Sequence, residues 1–269
     1  MNIGDHKSIS FKGQSVIYRD AGQGACIVFL HGYLESGDIW NGFAGRFQEK
    51  YRVIVPDLPG HGRSGIFGKT HSMEEMAGSV MEILKAEMLK KIFLVGHSMG
   101  GYVTMAFAEL FPEHLAGYSL FHSTCFADTE EKRKNRRREV SLVLCGKKRQ
   151  IVNVNIPKSF ANDQVERLKP EVERAKKIAL ANPDEGIVAI LNGMIQRPDR
   201  THVLQDSSLP LLLIGGMKDN YIPADVFDKL ALLSPHASAV KLGASGHMGF
   251  IEEPAKSAEA ILSMIGKVM

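Results

Sequence analysis

The sequence predicts an α/β fold: a mostly parallel, eight-stranded sheet with helices on both faces and an inserted helical cap. Three observations carry this prediction. Short β-branched or apolar runs alternate with longer helical patterns through the first half of the chain, as strands joined by helical crossovers do. The strand series stops near residue 124 and resumes after residue 208. The composition, 44% hydrophobic and 23% charged over 269 residues, is that of an ordinary globular protein long enough to bury a large core without disulfides or metals.

In chain order, Ser8 to Phe11 and Ser15 to Asp20 are the first strands. They flank Lys12-Gly13-Gln14, a turn signal, so the sheet opens with an antiparallel edge. Cys26 to Leu30, Arg52 to Pro56, Lys91 to Val95 and Gly117 to His122 follow as apolar runs of strand length. From Thr124 to Ser208 the chain is charged, amphipathic and helical. Asp128 stands at an N-cap position with Glu131 three residues on, and Pro183-Asp184 opens a helix carrying Ile187, Ile190, Leu191 and Met194. Leu209 to Gly215 and Ala239 to Leu242 complete the sheet. The expected division is therefore a core of residues 1–123 and 209–269 with a cap of residues 124–208. An insertion between strands of one sheet belongs over their carboxyl ends, where open α/β sheets bind ligands.

Lys and Arg total 33 against 30 Asp and Glu, a net charge of +3, too small for a dedicated nucleic-acid binder. The N-terminal residues lack the apolar stretch of a leader, and the apolar runs are too short to span a bilayer, so no membrane association and a cytoplasmic location are expected. Cys26, Cys125 and Cys145 are odd in number and widely spaced, which suggests neither a disulfide framework nor a metal site.

Gly96-His97-Ser98-Met99-Gly100 follows the Lys91 to Val95 strand directly and precedes a helical run from Tyr102 to Phe111. A strand, a sharp turn and a helix around a serine flanked by small residues are the parts of a nucleophile elbow, which marks Ser98 as a nucleophile. A serine hydroxyl needs a histidine base, itself oriented by a carboxylate. His247 follows the last strand, at its carboxyl end, whereas His236 precedes it, at the wrong end of the sheet. Asp219 follows the Leu209 to Gly215 strand, beside the expected histidine loop. His31-Gly32-Tyr33 ends the third strand, so the Tyr33 and Met99 N–H groups are the expected pair of oxyanion donors, with His31 structural. Three other patterns carry less. Gly60-His-Gly62-Arg-Ser-Gly65 imitates a dinucleotide fingerprint, but Gly65 and Gly68 interrupt the helix that would hold a pyrophosphate. Gly68-Lys69-Thr70 imitates the end of a P-loop, but Arg63 stands where its first glycine is needed. The basic run from Lys132 to Arg138 is flanked by Glu130, Glu131 and Glu139 and reads as a solvated helix face.

Taken together, His31-Gly32, Asp57-Leu-Pro-Gly-His-Gly-Arg-Ser64, Gly96-His-Ser-Met-Gly-Gly101, Asp219 and Gly246-His247 resemble the α/β-hydrolase superfamily, in its group of capped esterase-like and carbon-carbon-bond hydrolases. The resemblance covers nearly the whole chain, least specifically in the cap. It implies a Ser98, Asp219, His247 triad, an oxyanion hole from Tyr33 and Met99, no cofactor and no metal. It also implies that the Asp57 to Ser64 loop is a structural turn. Ser98 in place of an aspartate disfavours epoxide opening and dehalogenation.

The expected function is hydrolysis of small-molecule carboxylic esters through an acyl-enzyme. One alternative is carbon-carbon cleavage of diketo acids, with Arg197 gripping the acid and Arg200 nearby. Ring-fission hydrolases of that kind usually carry Trp after the catalytic histidine, where this chain has Met248. Another alternative is a slow ligand receptor on the same fold. Cofactor-free haloperoxidase relatives share much of the triad, so peroxyacid formation is a conceivable side activity. Arg197, Met194 and Met248 are the expected substrate contacts; natural substrate and oligomeric state are not legible.

Overall fold

The computed structural model describes residues 3–269; Met1 and Asn2, part of the stretch read for a leader, lie outside them. Strands β1 (Asp5–Phe11) and β2 (Gln14–Ala21) form the antiparallel hairpin. Lys12 and Gly13 both take positive φ, 50° and 75°, which matches the twist of a two-residue hairpin turn. Six parallel strands follow: β3 (Cys26–Leu30), β4 (Arg52–Pro56), β5 (Ile92–His97), β6 (Leu115–Phe121), β7 (Leu211–Gly216) and β8 (Ser238–Leu242). The order across the sheet is β1-β2-β4-β3-β5-β6-β7-β8, with β2 antiparallel to β4. β3 and β5 are buried at every position, as strands covered on both faces must be.

The order reverses at β3. The chain leaves it sideways to β4, then crosses back to β5 on its other side, and right-handed crossovers in opposite directions put the connections on opposite faces. On one face α1 (Met73–Ala86) packs on α2 (Met99–Leu110). Helix α1 starts where Ser72 and Glu75 close a reciprocal capping box. The other face carries a cluster of Phe29, Trp40, Phe43, Phe47, Phe121 and Phe250, with Trp40 and Phe250 rings 4.3 Å apart. A reversal of strand order leaves a crevice at the carboxyl ends, here between β3 and β5.

Between β6 and β7 the chain is helical: α3 (Glu130–Leu144), α4 (Lys148–Lys158), α5 (Lys169–Ala181), α6 (Asp184–Gln196) and α7 (Thr201–Asp206). Helix α3 packs on α6 and α4 on α5. The start of α3 differs from the sequence expectation. Thr129, not Asp128, is the N-cap, its hydroxyl accepting the Lys132 N–H at 3.2 Å. Asp128 turns inward instead because two guanidinium groups there need a counter-charge: Arg136 at 2.5 Å and Arg197 at 2.9 Å. After β7 come α8 (Ala224–Leu233), α9 (Gly249–Glu252) and α10 (Pro254–Val268), the last packed against β6, β7 and β8. Among the described residues no helix is long and apolar enough to cross a membrane.

Candidate active site

Ser98 lies between β5 and α2 with φ 51° and ψ −114°, a conformation that side chains rarely adopt and that costs roughly 1–3 kcal/mol. Its surroundings hold it there. The Ser98 N–H donates to Phe121 O at 3.0 Å, and the Ser123 hydroxyl donates to Ser98 O at 2.6 Å. The bend is tight enough that a methyl group at Gly96 would overlap the Thr104 side chain and the Gly100 carbonyl, and one at Gly100 would overlap Leu30 O. Ser98 remains partly exposed.

Asp219 and His247 follow β7 and β8. Asp219 Oδ2 accepts the His247 Nδ1–H at 2.7 Å, and its Oδ1 accepts the Tyr221 and Ile222 N–H groups at 2.7 and 3.0 Å. A fourth donor comes from His122, whose Nδ1 lies 3.2 Å from Oδ2. Burial by itself would raise the Asp219 pKa, but the attraction of His247 and the hydrogen bonds from both imidazoles hold it well below the usual carboxylate range.

Three buried histidines crowd this end of the sheet: His97 and His247 have ring centroids 5.1 Å apart, His122 and His247 5.6 Å, and His97 and His122 6.1 Å. Their second nitrogens distinguish them. His122 Nε2 accepts the Gly249 N–H at 3.1 Å, and burial pushes its pKa down to about 4, so it is neutral and gives its Nδ1–H to Asp219, with the Gly216 N–H also 3.1 Å from Nδ1. His97 Nε2 meets His247 O at 2.8 Å. His247 Nε2 alone of the three is unpartnered among the described residues. No hydrogen bond joins Ser98 Oγ to His247 Nε2 in this structure; such bonds in catalytic sites often tighten only when substrate binds. Met99 is the first residue of α2, and neither its N–H nor that of Tyr33 finds an acceptor among the described residues.

The His247 segment is tied on both sides. Its own N–H donates to Ser159 O at 2.7 Å, in the helical insertion, and the Met248 N–H donates to Glu252 at 3.0 Å. Tyr221 packs 5.1 Å from the His247 ring and donates to Asn155 O.

The other residues singled out in the sequence fall as follows. His31 is structural: Nδ1 donates to Gly32 O and Nε2 accepts the Leu58 N–H, each at 2.9 Å. Asp57 accepts the Gly37 and Arg63 N–H groups at 2.7 and 2.9 Å, which makes its loop a turn held from within. Arg197 lies 3.8 Å from the Tyr102 ring centroid, donates to Met194 O and Phe126 O, and pairs with Asp128. Arg200 pairs with Glu74 and Glu109. Met194 on α6 and Met248 beside His247 are both buried. The Tyr33 hydroxyl is buried without a hydrogen bond to the described residues, and burial raises its pKa well above the ordinary value.

His122, Asp219 and His247 bring one ligand-type atom each to within 4.8 Å of one another, the one such group among the described residues. These atoms already hydrogen-bond to each other, a proton-sharing arrangement in which the donors face inward. Sequence reasoning missed His122 and the pair Glu35–His97. His122 was visible only as the end of a strand, where its φ of 50° now turns it toward Asp219.

A family model described as the alpha/beta hydrolase fold matches residues 26–137. A thermophilic esterase from Thermogutta terrifontis, solved with malate bound, is 30% identical, with a TM-score of 0.94 over 98% of this chain and 99% of that one. The pimeloyl-[acyl-carrier protein] methyl ester esterase of Yersinia enterocolitica is 28% identical over 242 residues, 87% of this chain and 90% of the relative. A hydrolase from Pseudomonas aeruginosa PA01, 22% identical, shares the fold at a TM-score of 0.90 over 98% of this chain and all of that one. With relatives that match from end to end, this chain belongs to the α/β-hydrolase superfamily.

Proposed function

We propose that the protein is a serine hydrolase that cleaves carboxylic esters of small molecules through an acyl-enzyme. The observation that carries this reading is the state of His247: Nδ1 is fixed on the Asp219 carboxylate while Nε2 is free, at the end of the sheet where Ser98 stands on its strained bend. The esterases among its relatives support the same chemistry.

In this mechanism His247 Nε2 takes the Ser98 proton as Oγ attacks the ester carbonyl. Asp219 keeps the imidazole in the Nδ1–H tautomer and balances the imidazolium that forms. The Tyr33 and Met99 N–H groups receive the oxyanion, at the start of α2 where the helix dipole also favours negative charge. His247 passes the proton to the departing alcohol, and water, deprotonated by the same nitrogen, then releases the acid from Ser98. The helical insertion acts as a cap over this edge, with Met194 and Met248 offering apolar contact to the acyl group. Arg197 has its charge matched by Asp128, which favours ester cleavage over a reaction that needs this guanidinium to grip a substrate acid.

Hydrolysis of a short-chain p-nitrophenyl ester tests the reading. Wild-type protein is expected to turn over repeatedly, and Ser98→Ala to lose about four powers of ten in kcat. No hydrolysis by the wild type, or full activity in Ser98→Ala, overturns it.

A further inference from the structure

We propose that Glu35 and His97 are positioning residues: a buried pair that clamps the His247 main chain and the Tyr33 loop to the serine elbow. The proposal rests on the reading of Ser98 and His247 as nucleophile and base.

His97 Nδ1 lies 3.1 Å from Glu35 Oε2 and its Nε2 lies 2.8 Å from His247 O. Both ring nitrogens therefore face oxygen acceptors. A neutral imidazole has one N–H and would set a lone pair against one of those oxygens; an imidazolium satisfies both. Glu35 Oε2 also accepts the Gly32 N–H at 2.5 Å, as a carboxylate would. Burial opposes both charges, but the field of Glu35 leaves the His97 pKa raised, and His97 leaves that of Glu35 lowered.

Stability alone does not call for such a pair, since apolar residues of similar volume usually serve a buried site as well or better. Around His97 the Trp40, Phe121 and Phe250 rings already form an apolar wall, at 6.1, 6.3 and 5.0 Å between centroids. What an apolar pair cannot do is donate to His247 O and accept from Gly32 N. The first bond, with the His247 N–H held by Ser159 O at 2.7 Å, fixes the base's main chain at both ends. The second fixes the residue before Tyr33, the proposed oxyanion donor. The hub of both is residue 97, the direct neighbour of Ser98, so base, oxyanion donor and nucleophile are referenced to one point. The Glu35 carbonyl in turn accepts from Asn182, which follows α5, at 3.1 Å.

Two variants test the clamp. Glu35→Leu with His97→Phe removes both charges together, so neither is left buried alone. The expected result is a folded protein with kcat on the p-nitrophenyl ester down about 100-fold, KM within about 2-fold and phosphonylation of Ser98 by a fluorophosphonate slowed in parallel. Glu35→Gln keeps the oxygen but not the charge. His97 is faced by Glu35, His31, His122, His247 and Asp219, and without the Glu35 charge it sheds its proton at lower pH. The ratio of Glu35→Gln to wild-type kcat, measured pH by pH, is therefore expected to fall by about 10-fold as pH rises through the range in which His97 gives up its proton. A folded double variant with unchanged kcat overturns the clamp, as does a flat ratio in Glu35→Gln, which decides the matter alone if the double variant does not fold. Retained hydrolysis and labelling in Ser98→Ala would instead bring down the catalytic reading, and the clamp with it.

Discussion

Two buried carboxylate–histidine pairs lie side by side in this molecule and are built for opposite ends. Asp219–His247 and Glu35–His97 each join an acidic oxygen to an Nδ1 atom, at 2.7 and 3.1 Å, and each carboxylate also takes backbone N–H groups. They differ at the far nitrogen. His97 Nε2 is tied to a carbonyl, whereas His247 Nε2 is open. The first imidazole has no place for another proton partner; the second has one and is therefore available to chemistry. Proximity of an acid to a histidine is poor evidence of catalysis unless the other side of the ring is free.

Breaking the Asp219–His247 pair has the largest expected effect. In Asp219→Asn an amide NH2 faces His247 Nδ1 and favours the wrong tautomer, so kcat should fall by about 10⁴-fold in steady-state assays, against about 100-fold for loss of the Glu35–His97 pair. Equal losses from the two would erase the distinction between them.

His122 sharpens the contrast, because it shares the Asp219 carboxylate without a free nitrogen. Its folded pKa of about 4 lies below the free value of 6.5. Between those limits the unfolded chain binds a proton that the native chain refuses. The His122 contribution to stability is thus intact above pH 6.5 and is lost as pH falls towards 4, by up to about 3 kcal/mol. Urea unfolding at pH 7 and pH 4.5 should show a correspondingly smaller loss in His122→Gln; an unchanged loss would assign the acid sensitivity elsewhere.

The smallest effect is a control outside both pairs. Thr129→Ala removes the N-cap of α3 and should lower unfolding free energy by about 1 kcal/mol, with KM and kcat unchanged. A kinetic change there would mean that the α3 terminus communicates with the site.

The sheet was legible because its signal is local: each strand is a short apolar run bounded by turn residues, and all eight lie where the pattern places them, with shifts of a few residues at their ends. Ser98, Asp219 and His247 stand out in the sequence by positions just beyond strand ends, and position along a strand is a local property too. Side-chain partnership is not. Glu35 meets His97 across 62 residues and His122 meets Asp219 across 97, and no periodicity links such positions. The motif pattern also treats residue 97 as a filler between glycine and serine, which hides it. Asp128 shows the same limit from another side. Its spacing to Glu131 fits a cap, but the strong pull of two distant arginines, invisible in the local sequence, wins over a weak local bond.

The bond from the His247 N–H to Ser159 O has one more implication. Ser159 ends α4, so the helical insertion and the His247 main chain are tied to each other directly. A guest that must lift α4 to enter would drag His247 out of register as it did so. Under the proposed mechanism bulk would be rejected twice, by crowding and by displacement of His247, so the rate should drop abruptly, not gradually, as the acyl chain is lengthened.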